Sequence, residues 1–302
     1  MTLRLGTRGS RLALRQSEQA AEALRARGAA ALVVPIKTSG DHLAHMALAD
    51  FGGKALFVKE IEEALLDGRV DVGVHSLKDM PAILPPGLCL AAVLEREDPR
   101  DVLVARNGGS LDELPWGAVV GTSSLRRRVL LRARRPDLRV EPIRGNVDTR
   151  LRKLEEGSYD ALVMARAGLN RLGLAPAHAC PLPVDEFLPA PGQGILGLEA
   201  RQTDHDVLDL LKDVDHAETR AQAEAERSFL LHLGAGCHTP VAGFARVEGD
   251  RLLLTGLVAS VDGDLVLVAS VGGAAESAEK LGQELAEELL ARGARAILDR
   301  RP

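Results

Sequence analysis

Aromatic side chains are scarce in this sequence. Phe, Trp and Tyr together make up 2% of its 302 residues, and none lies within the arginine-rich stretch described below. Proteins that bind single-stranded nucleic acid usually stack bases on aromatic rings, and basic charge supplies most of their affinity. This chain carries a formal net charge of -5 at pH 7. Both features argue against a nucleic-acid partner.

Long apolar runs and paired cysteines are also lacking. The first residues, MTLRLGTRGS, contain no apolar segment of a signal peptide, and no run is long enough to span a bilayer. The three cysteines, Cys89, Cys180 and Cys237, are an odd number without a CxxC spacing, which is typical of reduced thiols. We therefore expect a cytoplasmic protein without a membrane partner.

The hydrophobic pattern divides the chain into three parts. Strand and helix patterns alternate over residues 1–95 and again over 99–190, which predicts two α/β domains. A strand predicted over 195–200 is expected to return to the first sheet, so residues 195–213 are assigned to the first domain. Residues 217–302 contain a long helix, a three-stranded antiparallel meander and a closing helix, which predicts a small α+β domain.

Two turns in the stretch Gly121–Arg150 predict an anion site. The turn GTSS at 121–124 and the turn RGN at 144–146 each stand between a strand pattern and a helix start. Unpaired backbone N–H groups and capping side chains at such a start favour an anion.

The arginines of this stretch differ in their expected surroundings. On a helical wheel Arg126 falls inside the apolar arc of its helix, where a permanently charged guanidinium needs an anionic partner or water. Arg144 and Arg150 flank the second turn and its helix. Three other arginines point away and are expected to form a solvated helix face. These are Arg128, Arg132 and Arg135.

Two other turns follow predicted strands. Arg8 and Ser10 lie between the first strand and the first helix, as the residues of the GTSS turn do. The turn HSLKDMP at 75–81 follows a buried strand, and Asp79 is its only carboxylate. Asp79 could be a helix cap or the partner of Lys78. Its more specific role would be an acid/base or cation-stabilising group.

Three weaker signals need comment. His42 and His45 lie in a predicted mobile loop over 38–54, and because no further ligand has suitable spacing, no metal is expected. The segment 192–197 matches GxGxxG but lacks a preceding strand, so dinucleotide binding is not expected. Cys237 lies in a Gly-rich loop, where it is either an accessible thiol or a buried small residue.

Taken in order, the motifs resemble those of the porphobilinogen deaminase (hydroxymethylbilane synthase) family. The matching segments are GTRGSRLAL, GGKALFVKE, VHSLKDMP, EREDPRD, GTSSLRRR, RRPDL, RGNVDTRL, AGLNRLG, PGQG and GAGCHTPV. The resemblance implies two α/β domains like those of periplasmic binding proteins, followed by a third domain. It also implies a dipyrromethane cofactor, joined through a thioether to Cys237. The implied activity adds porphobilinogen units to this primer, releases ammonia each time, and frees a linear tetrapyrrole by hydrolysis.

The resemblance also implies a role for each matching residue. Asp79 would be the catalytic residue, beneath the pyrrole nitrogens, where a carboxylate stabilises the cation left by departing ammonia. The groups that hold the cofactor would be Ser76, Lys78, Asp79, Thr122, Ser124, Arg126, Arg127, Arg144, Gly145, Arg150 and Cys237. The groups that hold porphobilinogen would be Arg8, Ser10, Gln16, Arg144, Arg150 and Gln193. The protein is expected to be a monomer. Asp148 departs from the family pattern and adds an acid next to Arg150, for which a helix N-terminal role is the alternative.

Two rival functions stay open at this stage. A hinged, two-lobed protein that binds small anions without catalysis would explain the paired α/β domains and the arginines. It would leave Cys237 and the third domain without a role. A nucleic-acid-binding protein would use the arginine-rich helix, but composition and charge argue against it.

Overall fold

The computed structural model describes residues 1–37, 58–235 and 239–299. The loop predicted over 38–54, with His42 and His45, lies outside these ranges, as does Cys237. The described chain forms two five-stranded sheets and one three-stranded sheet. This confirms the predicted fold of two α/β units followed by a small unit with a three-stranded antiparallel sheet. The exact domain boundaries stay predictions.

The first sheet has the strand order β2-β1-β3-β10-β4. Its strands are β1 (Thr2–Arg8), β2 (Ala30–Ile36), β3 (Val72–Ser76), β4 (Leu88–Val93) and β10 (Leu196–Arg201). Strands β1, β2 and β3 are parallel, whereas β10 runs antiparallel to both of its neighbours. The strand predicted over 195–200 therefore does lie in the first sheet.

The second sheet has the order β7-β6-β8-β5-β9. Its strands are β5 (Asp101–Ala105), β6 (Val119–Gly121), β7 (Arg139–Glu141), β8 (Ala161–Ala165) and β9 (Ala179–Pro181). Strand β6 is parallel to β7 and β8, whereas β5 is antiparallel to β8 and β9. The two sheets thus share one topology, in which three parallel strands are followed by an antiparallel one and a final edge strand.

The antiparallel strand of each sheet enters from the other sheet. Strand β5 follows β4 of the first sheet, and β10 follows β9 of the second. The chain therefore crosses twice, through residues 94–100 and 182–195, which we call the crossover segments. We call each five-stranded sheet with its helices a lobe.

Six helices accompany the two sheets in the described ranges. The first lobe has α1 (Arg11–Ala26), α2 (Lys59–Leu66) and α6 (His205–Lys212). The second lobe has α3 (Leu125–Arg134), α4 (Val147–Glu155) and α5 (Arg166–Arg171). Helix α1 shows why they form: Ser10 caps its first turn, and Ala20, Ala21 and Leu24 recur at helical spacing on the face buried against the sheet.

The third unit places two helices against the antiparallel sheet. It contains α7 (Ala217–Leu233), β11 (Val241–Glu248), β12 (Arg251–Ala259), β13 (Val266–Ala274), α8 (Ala278–Ala291) and α9 (Ala294–Leu298). Phe229 of α7 is fully buried in its core. Helices α7 and α8 approach closely at Gly282, where a Cβ atom would lie 2.4 Å from the carbonyl oxygen of Ala225. Any larger residue there would push the helices apart.

Two short elements were not predicted. Strand β9 lies within the proline-rich stretch 176–191, which the sequence indicated was only a connector. It has three residues, ends at a proline and lies at the edge of the second sheet, where a proline is tolerated. Helix α9 follows the predicted closing helix after Gly293, whose φ of 99° ends α8. No helix in the described part of the chain is long and apolar enough to cross a membrane.

Candidate active site

The predicted site residues lie where strands end and helices begin. Arg8 is the last residue of β1, and Ser76 is the last residue of β3. In the second lobe, Thr122 directly follows β6, and Arg144 follows β7 after two residues. Within each lobe these strands are parallel, so their carboxyl ends lie at one edge of the sheet.

In the first lobe, Gln16 and Ser76 are brought together. The side-chain nitrogen of Gln16, which is buried on α1, donates a hydrogen bond of 2.9 Å to Oγ of Ser76. Ser10 caps α1, and its Oγ accepts from the backbone N–H of Ala13 at 3.3 Å. The turn at Ser10 and the turn after β3 are therefore held next to each other.

The side chain of Gln193 connects the two lobes. It is fully buried in the second crossover segment, and its Oε1 accepts a hydrogen bond of 3.2 Å from Nζ of Lys78. Its Nε2 donates to Oδ1 of Asp101 at 2.9 Å and to the carbonyl oxygen of Pro99 at 2.7 Å. The amide of Gln193 is thus engaged by protein groups on both sides, and its predicted contact with substrate stays a prediction.

The GTSS turn in the second lobe is held by its own hydroxyl groups. Oγ of Ser124 caps α3 by accepting from the N–H of Arg127 at 3.4 Å. Oγ1 of the buried Thr122 accepts from the N–H of Ser124 at 3.2 Å. Ser123 joins this turn to the chain after β7, because its Oγ donates to the carbonyl oxygen of Ile143 at 2.6 Å.

Arg126 and Arg127 share one buried carboxylate, that of Asp101. Nη1 of Arg126 lies 2.8 Å from Oδ2 of Asp101, and Nη2 of Arg127 lies 2.7 Å from Oδ1. Arg126 also donates to the carbonyl oxygen of Leu188, and Arg127 to that of Val163. The helical wheel correctly predicted that Arg126 is buried and needs an anionic partner, but Asp101 was given no role by the sequence.

This cluster leaves a surplus of buried positive charge. Burial alone would raise the pKa of Asp101, but the charges of Arg126 and Arg127 hold that pKa well below its usual range. Burial lowers the pKa of Arg126, and the charge of Arg127 adds to this effect against the opposing charge of Asp101. Two guanidinium groups therefore face one carboxylate, and Nε of Arg126 is buried without a hydrogen-bond partner.

The carboxylate of Asp79 in the first lobe acts electrostatically on Arg150 in the second lobe. Burial lowers the pKa of Arg150, as does the nearby charge of Arg127, whereas the carboxylate of Asp79 raises it. The predicted catalytic residue of the first lobe therefore lies within electrostatic range of Arg150 in the second lobe.

The RGN turn orients Arg150. Nε of Arg150 donates to the carbonyl oxygen of Gly145 at 2.8 Å. Gly145 has a φ of 109°, and a Cβ atom there would lie 2.7 Å from Cγ2 of Thr149. A side chain at position 145 is therefore disfavoured by both conformation and space. Arg144 and Gly145 themselves are exposed to solvent.

One expectation about the remaining arginines was wrong. Arg135 does not belong to a solvated face, since its guanidinium pairs with Asp137 and donates to the carbonyl oxygens of Leu111 and Leu114. It follows the end of α3, where the chain turns back onto its own sheet. Arg132 is exposed, as predicted, whereas Arg128 is half-buried and its Nε is buried.

Sequence reasoning also missed a buried network between the crossover segments and the third unit. Arg96 forms an ion pair of 2.6 Å with Glu226 of α7, and both side chains are almost fully buried. Arg96 also donates to the carbonyl oxygen of Gln193 at 2.9 Å. Glu226 accepts from the backbone N–H groups of Gly192 and Ala245. Both residues lie in patterns that would suit exposed charges, so only the tertiary fold reveals the pair.

The fold and site define a class: a two-lobed α/β protein with a buried cationic cluster and a third unit anchored to its crossover segments. Residues 3–209 match the family described as porphobilinogen deaminase, dipyromethane cofactor binding domain. Residues 221–291 match the porphobilinogen deaminase C-terminal domain. The chain belongs to the porphobilinogen deaminase family.

Individual relatives cover nearly the full length. The chain is 51% identical over 298 residues to the porphobilinogen deaminase of Desulforudis audaxviator, covering 98% of this chain and 96% of the relative. It is likewise 51% identical over 298 residues to that of Syntrophotalea carbinolica, with coverage of 98% and 95%. Among solved structures it is similar to a periplasmic substrate-binding protein of an ABC transporter from Coxiella burnetii. That similarity has a TM-score of 0.44 and 15% identity, over 70% of this chain and 92% of the other.

The residues present fit a dipyrromethane cofactor. Each pyrrole ring of such a group carries two carboxylates, so it requires several fixed cations. Arg126, Arg127 and Arg150 supply cations whose charge is only partly balanced by Asp101 and Asp79. The unpartnered Nε of Arg126 is a donor of the kind that a ligand carboxylate accepts from. In the described ranges, no three His, Cys, Asp or Glu side chains are grouped as a metal site would require.

Proposed function

We propose that this chain joins porphobilinogen molecules head to tail on a dipyrromethane primer and releases hydroxymethylbilane and ammonia. It is a transferase of porphyrin and haem biosynthesis, as its family membership over nearly the whole length supports. At the level of residues, the proposal is supported by the charge of Asp79 in the first lobe, which acts on Arg150 in the second lobe, and by the buried cluster of Arg126, Arg127 and Asp101. A carboxylate and a carboxylate-binding cation from opposite lobes can then act on one bound pyrrole.

Cys237 is the proposed attachment point of the cofactor. When bound, the dipyrromethane supplies the free α-carbon that acts as nucleophile toward the first substrate. The loop with Cys237 starts after Gly234, which ends α7, and leads into β11. Strand β11 is fixed to the second crossover segment, because the N–H of Gly243 donates to the carbonyl oxygen of Pro189 at 3.0 Å. This contact holds β11, which begins four residues after Cys237, against the second crossover segment.

The remaining site residues have binding roles in this proposal. The buried pair Arg126 and Arg127, fixed by Asp101, would supply permanent positive charge for the cofactor carboxylates. The other proposed cofactor contacts are Ser76, Lys78, Thr122, Ser124, Arg144, Gly145 and Arg150. The proposed porphobilinogen contacts are Arg8, Ser10, Gln16, Arg144, Arg150 and Gln193.

Asp79 performs the proposed chemistry on the substrate. As ammonia leaves porphobilinogen, positive charge spreads over the pyrrole ring, and a carboxylate beside the ring N–H stabilises it. After coupling, the same carboxylate is placed to accept the proton that the α-carbon loses. The carboxylate of Asp79 raises the pKa of Arg150, because the two opposite charges attract each other.

We further propose that the protein acts as a cytoplasmic monomer without nucleic acid or a membrane as partner. The formal net charge of -5 and the reduced-thiol composition support this. Light scattering coupled to size-exclusion chromatography tests the monomer: a mass near 32.1 kDa is expected, and a stable dimer would contradict it.

A turnover assay separates the proposed function from its rival. The purified protein is incubated with porphobilinogen, and ammonia and linear tetrapyrrole are quantified. One ammonia for each porphobilinogen consumed is expected, together with tetrapyrrole. A non-catalytic anion-binding protein would bind porphobilinogen, detectable by calorimetry, and release no ammonia. That second outcome would overturn the proposal.

A further inference from the structure

An ion pair joins the two lobes beside the proposed substrate site. Nη1 of Arg11 lies 2.7 Å from Oδ1 of Asp148. Arg11 is the first residue of α1 in the first lobe, and Asp148 is the second residue of α4 in the second lobe. Both side chains are partly open to solvent, with 58% and 43% exposed. The pair therefore lies at the surface of the contact between the lobes.

The ion pair connects the two halves of the proposed substrate site. Arg11 directly follows Ser10 and lies three residues after Arg8. Asp148 lies two residues before Arg150 and four after Arg144. The pair therefore joins the helix start next to Arg8 and Ser10 to the helix start that carries Arg150.

Arg11 occupies a position at which a positive charge is unfavourable for its own helix. A positive charge in the first turn of a helix is repelled by the positive end of the helix dipole. Asp148, in contrast, is favourable in the first turn of α4. Residues that break a local preference are often retained for a function outside their own element. The partner that compensates Arg11 is in the other lobe.

We propose that Arg11 and Asp148 are positioning residues that keep the lobes closed around porphobilinogen. This inference rests on the proposed function. With the pair formed, Arg8 and Ser10 of the first lobe and Arg144 and Arg150 of the second hold one substrate molecule between them. An exposed ion pair contributes little energy, which suits a contact that must break whenever the cleft opens.

The variant Arg11→Glu separates this role from a merely structural one. Glutamate in the first turn of α1 interacts favourably with the helix dipole, so the melting temperature should stay the same or rise. The new carboxylate also repels Asp148, so the lobes should separate. We expect KM for porphobilinogen to rise by about two- to fivefold and kcat to change by less than about twofold. The effect is modest because an exposed ion pair contributes little energy.

Lobe separation is measured directly on cofactor-loaded protein. Spin labels attached through unnatural amino acids at the exposed positions Arg27 and Ser158 report the distance between the lobes. Arg11→Glu should shift the distance distribution to longer values. The exchanged pair, Arg11→Glu with Asp148→Arg, should restore both the distance and KM. A matched control removes the ion pair Arg15–Glu22, which lies 3.0 Å apart within α1 with similar exposure. The double variant Arg15→Gln/Glu22→Gln should change neither.

The outcomes distinguish failure of this inference from failure of the proposed function. Unchanged distances and KM in Arg11→Glu would overturn the positioning role and leave the enzyme assignment standing. Longer distances with unchanged KM would also overturn it, because closure would then not serve substrate binding. The distance measurement needs no turnover, so a chain inactive toward porphobilinogen would refute the function independently.

Discussion

The guanidinium of Arg126 and the carboxylate of Asp101 lie 2.8 Å apart and are 4% and 0% exposed. Because Arg127 shares this carboxylate, the cluster carries a net positive charge inside the protein. Such a charge is costly unless it is balanced. An anionic cofactor would balance it, so binding of the cofactor and stability of the second lobe should be coupled.

Asp101→Asn should destabilise the protein strongly. The change removes the protein carboxylate that pairs with both buried guanidinium groups, at a cost of about 3–5 kcal/mol in the free energy of unfolding. Urea unfolding of the cofactor-loaded protein measures it. Asp112→Asn is the control, because Asp112 pairs with Arg134 on the surface of the same lobe and should contribute less than about 1 kcal/mol. Equal effects of the two variants would contradict the prediction.

Acid stability should depend on the same residue. The folded state holds the pKa of Asp101 below its ordinary value of 3.8. Its contribution is therefore complete above that value and is lost as the pH falls below about 4. Between pH 5 and pH 3 the wild type should lose more unfolding free energy than Asp101→Asn. An equal loss of unfolding free energy in the wild type and in Asp101→Asn would show that Asp101 does not contribute to acid stability in this way.

Asp79→Asn should keep the fold and lose most of the activity. An amide supplies only a dipole where a charge is needed, so kcat should fall by about 10²-fold or more. Asp79→Glu moves the charge by one methylene and should retain more activity. Both variants must be preloaded with cofactor, since its assembly uses the same chemistry. Wild-type turnover by preloaded Asp79→Asn would mean that the carboxylate is only a cap.

Arg150→Lys should not be a conservative change. Nε of Arg150 is engaged by Gly145, which leaves the other guanidinium nitrogens to bind a carboxylate. A lysine ammonium cannot reproduce this geometry, so kcat/KM should fall by about tenfold or more. Arg126→Lys and Arg144→Lys are expected to impair turnover as well. Arg132→Lys, on the exposed face of α3, is the control and should turn over normally.

Glu62→Gln should stabilise the protein at alkaline pH. Burial, reinforced by the charge of Glu199 and opposed by His75, raises the pKa of Glu62 to about 7. The folded protein then keeps a proton that the unfolded chain has lost, so stability falls as the pH rises from about 4.5 to about 7.

A glutamine at position 62 avoids this loss. Because Glu62 is only partly buried, we expect a gain of only about 1 kcal/mol at pH 8 and none at pH 4.5. Thermal unfolding across this pH range checks it. Glu63→Gln, a change at the exposed neighbour on α2, should have a smaller pH-dependent effect, because the charge of Glu63 is the weakest of the causes that raise the pKa of Glu62. A gain that is equal at both pH values would argue against the raised pKa.

Cys237→Ser should remove the cofactor. The intact mass of the purified wild type should exceed the mass of its sequence by two deaminated porphobilinogen units. The serine variant should lack this excess and be inactive. Cys89→Ala and Cys180→Ala should keep the excess mass, because these partly buried thiols are expected to have only packing roles. An unmodified and fully active wild type would refute the attachment.

The sequence was informative where the signal is local. Hydrophobic periodicity and capping residues such as Ser10 and Ser124 predicted most helices and strands within about two residues. The wheel position of Arg126 predicted its burial. The partners of buried charges could not be predicted in the same way. Asp101 and Glu226 stand far from their arginines in the chain, and only the fold brings them together.

The interleaved topology has a consequence for synthesis on the ribosome. Strand β10 lies between β3 and β4. The first sheet therefore cannot join β4 to β3 until residues 196–201 have emerged from the ribosome. The second sheet has all its strands once residue 181 has been made. The lobe that is synthesised second can therefore complete its folding first. Until then, the edges of β3 and β4 that later pair with β10 stay unpaired in the N-terminal half. Unpaired strand edges of this kind promote aggregation of a nascent chain.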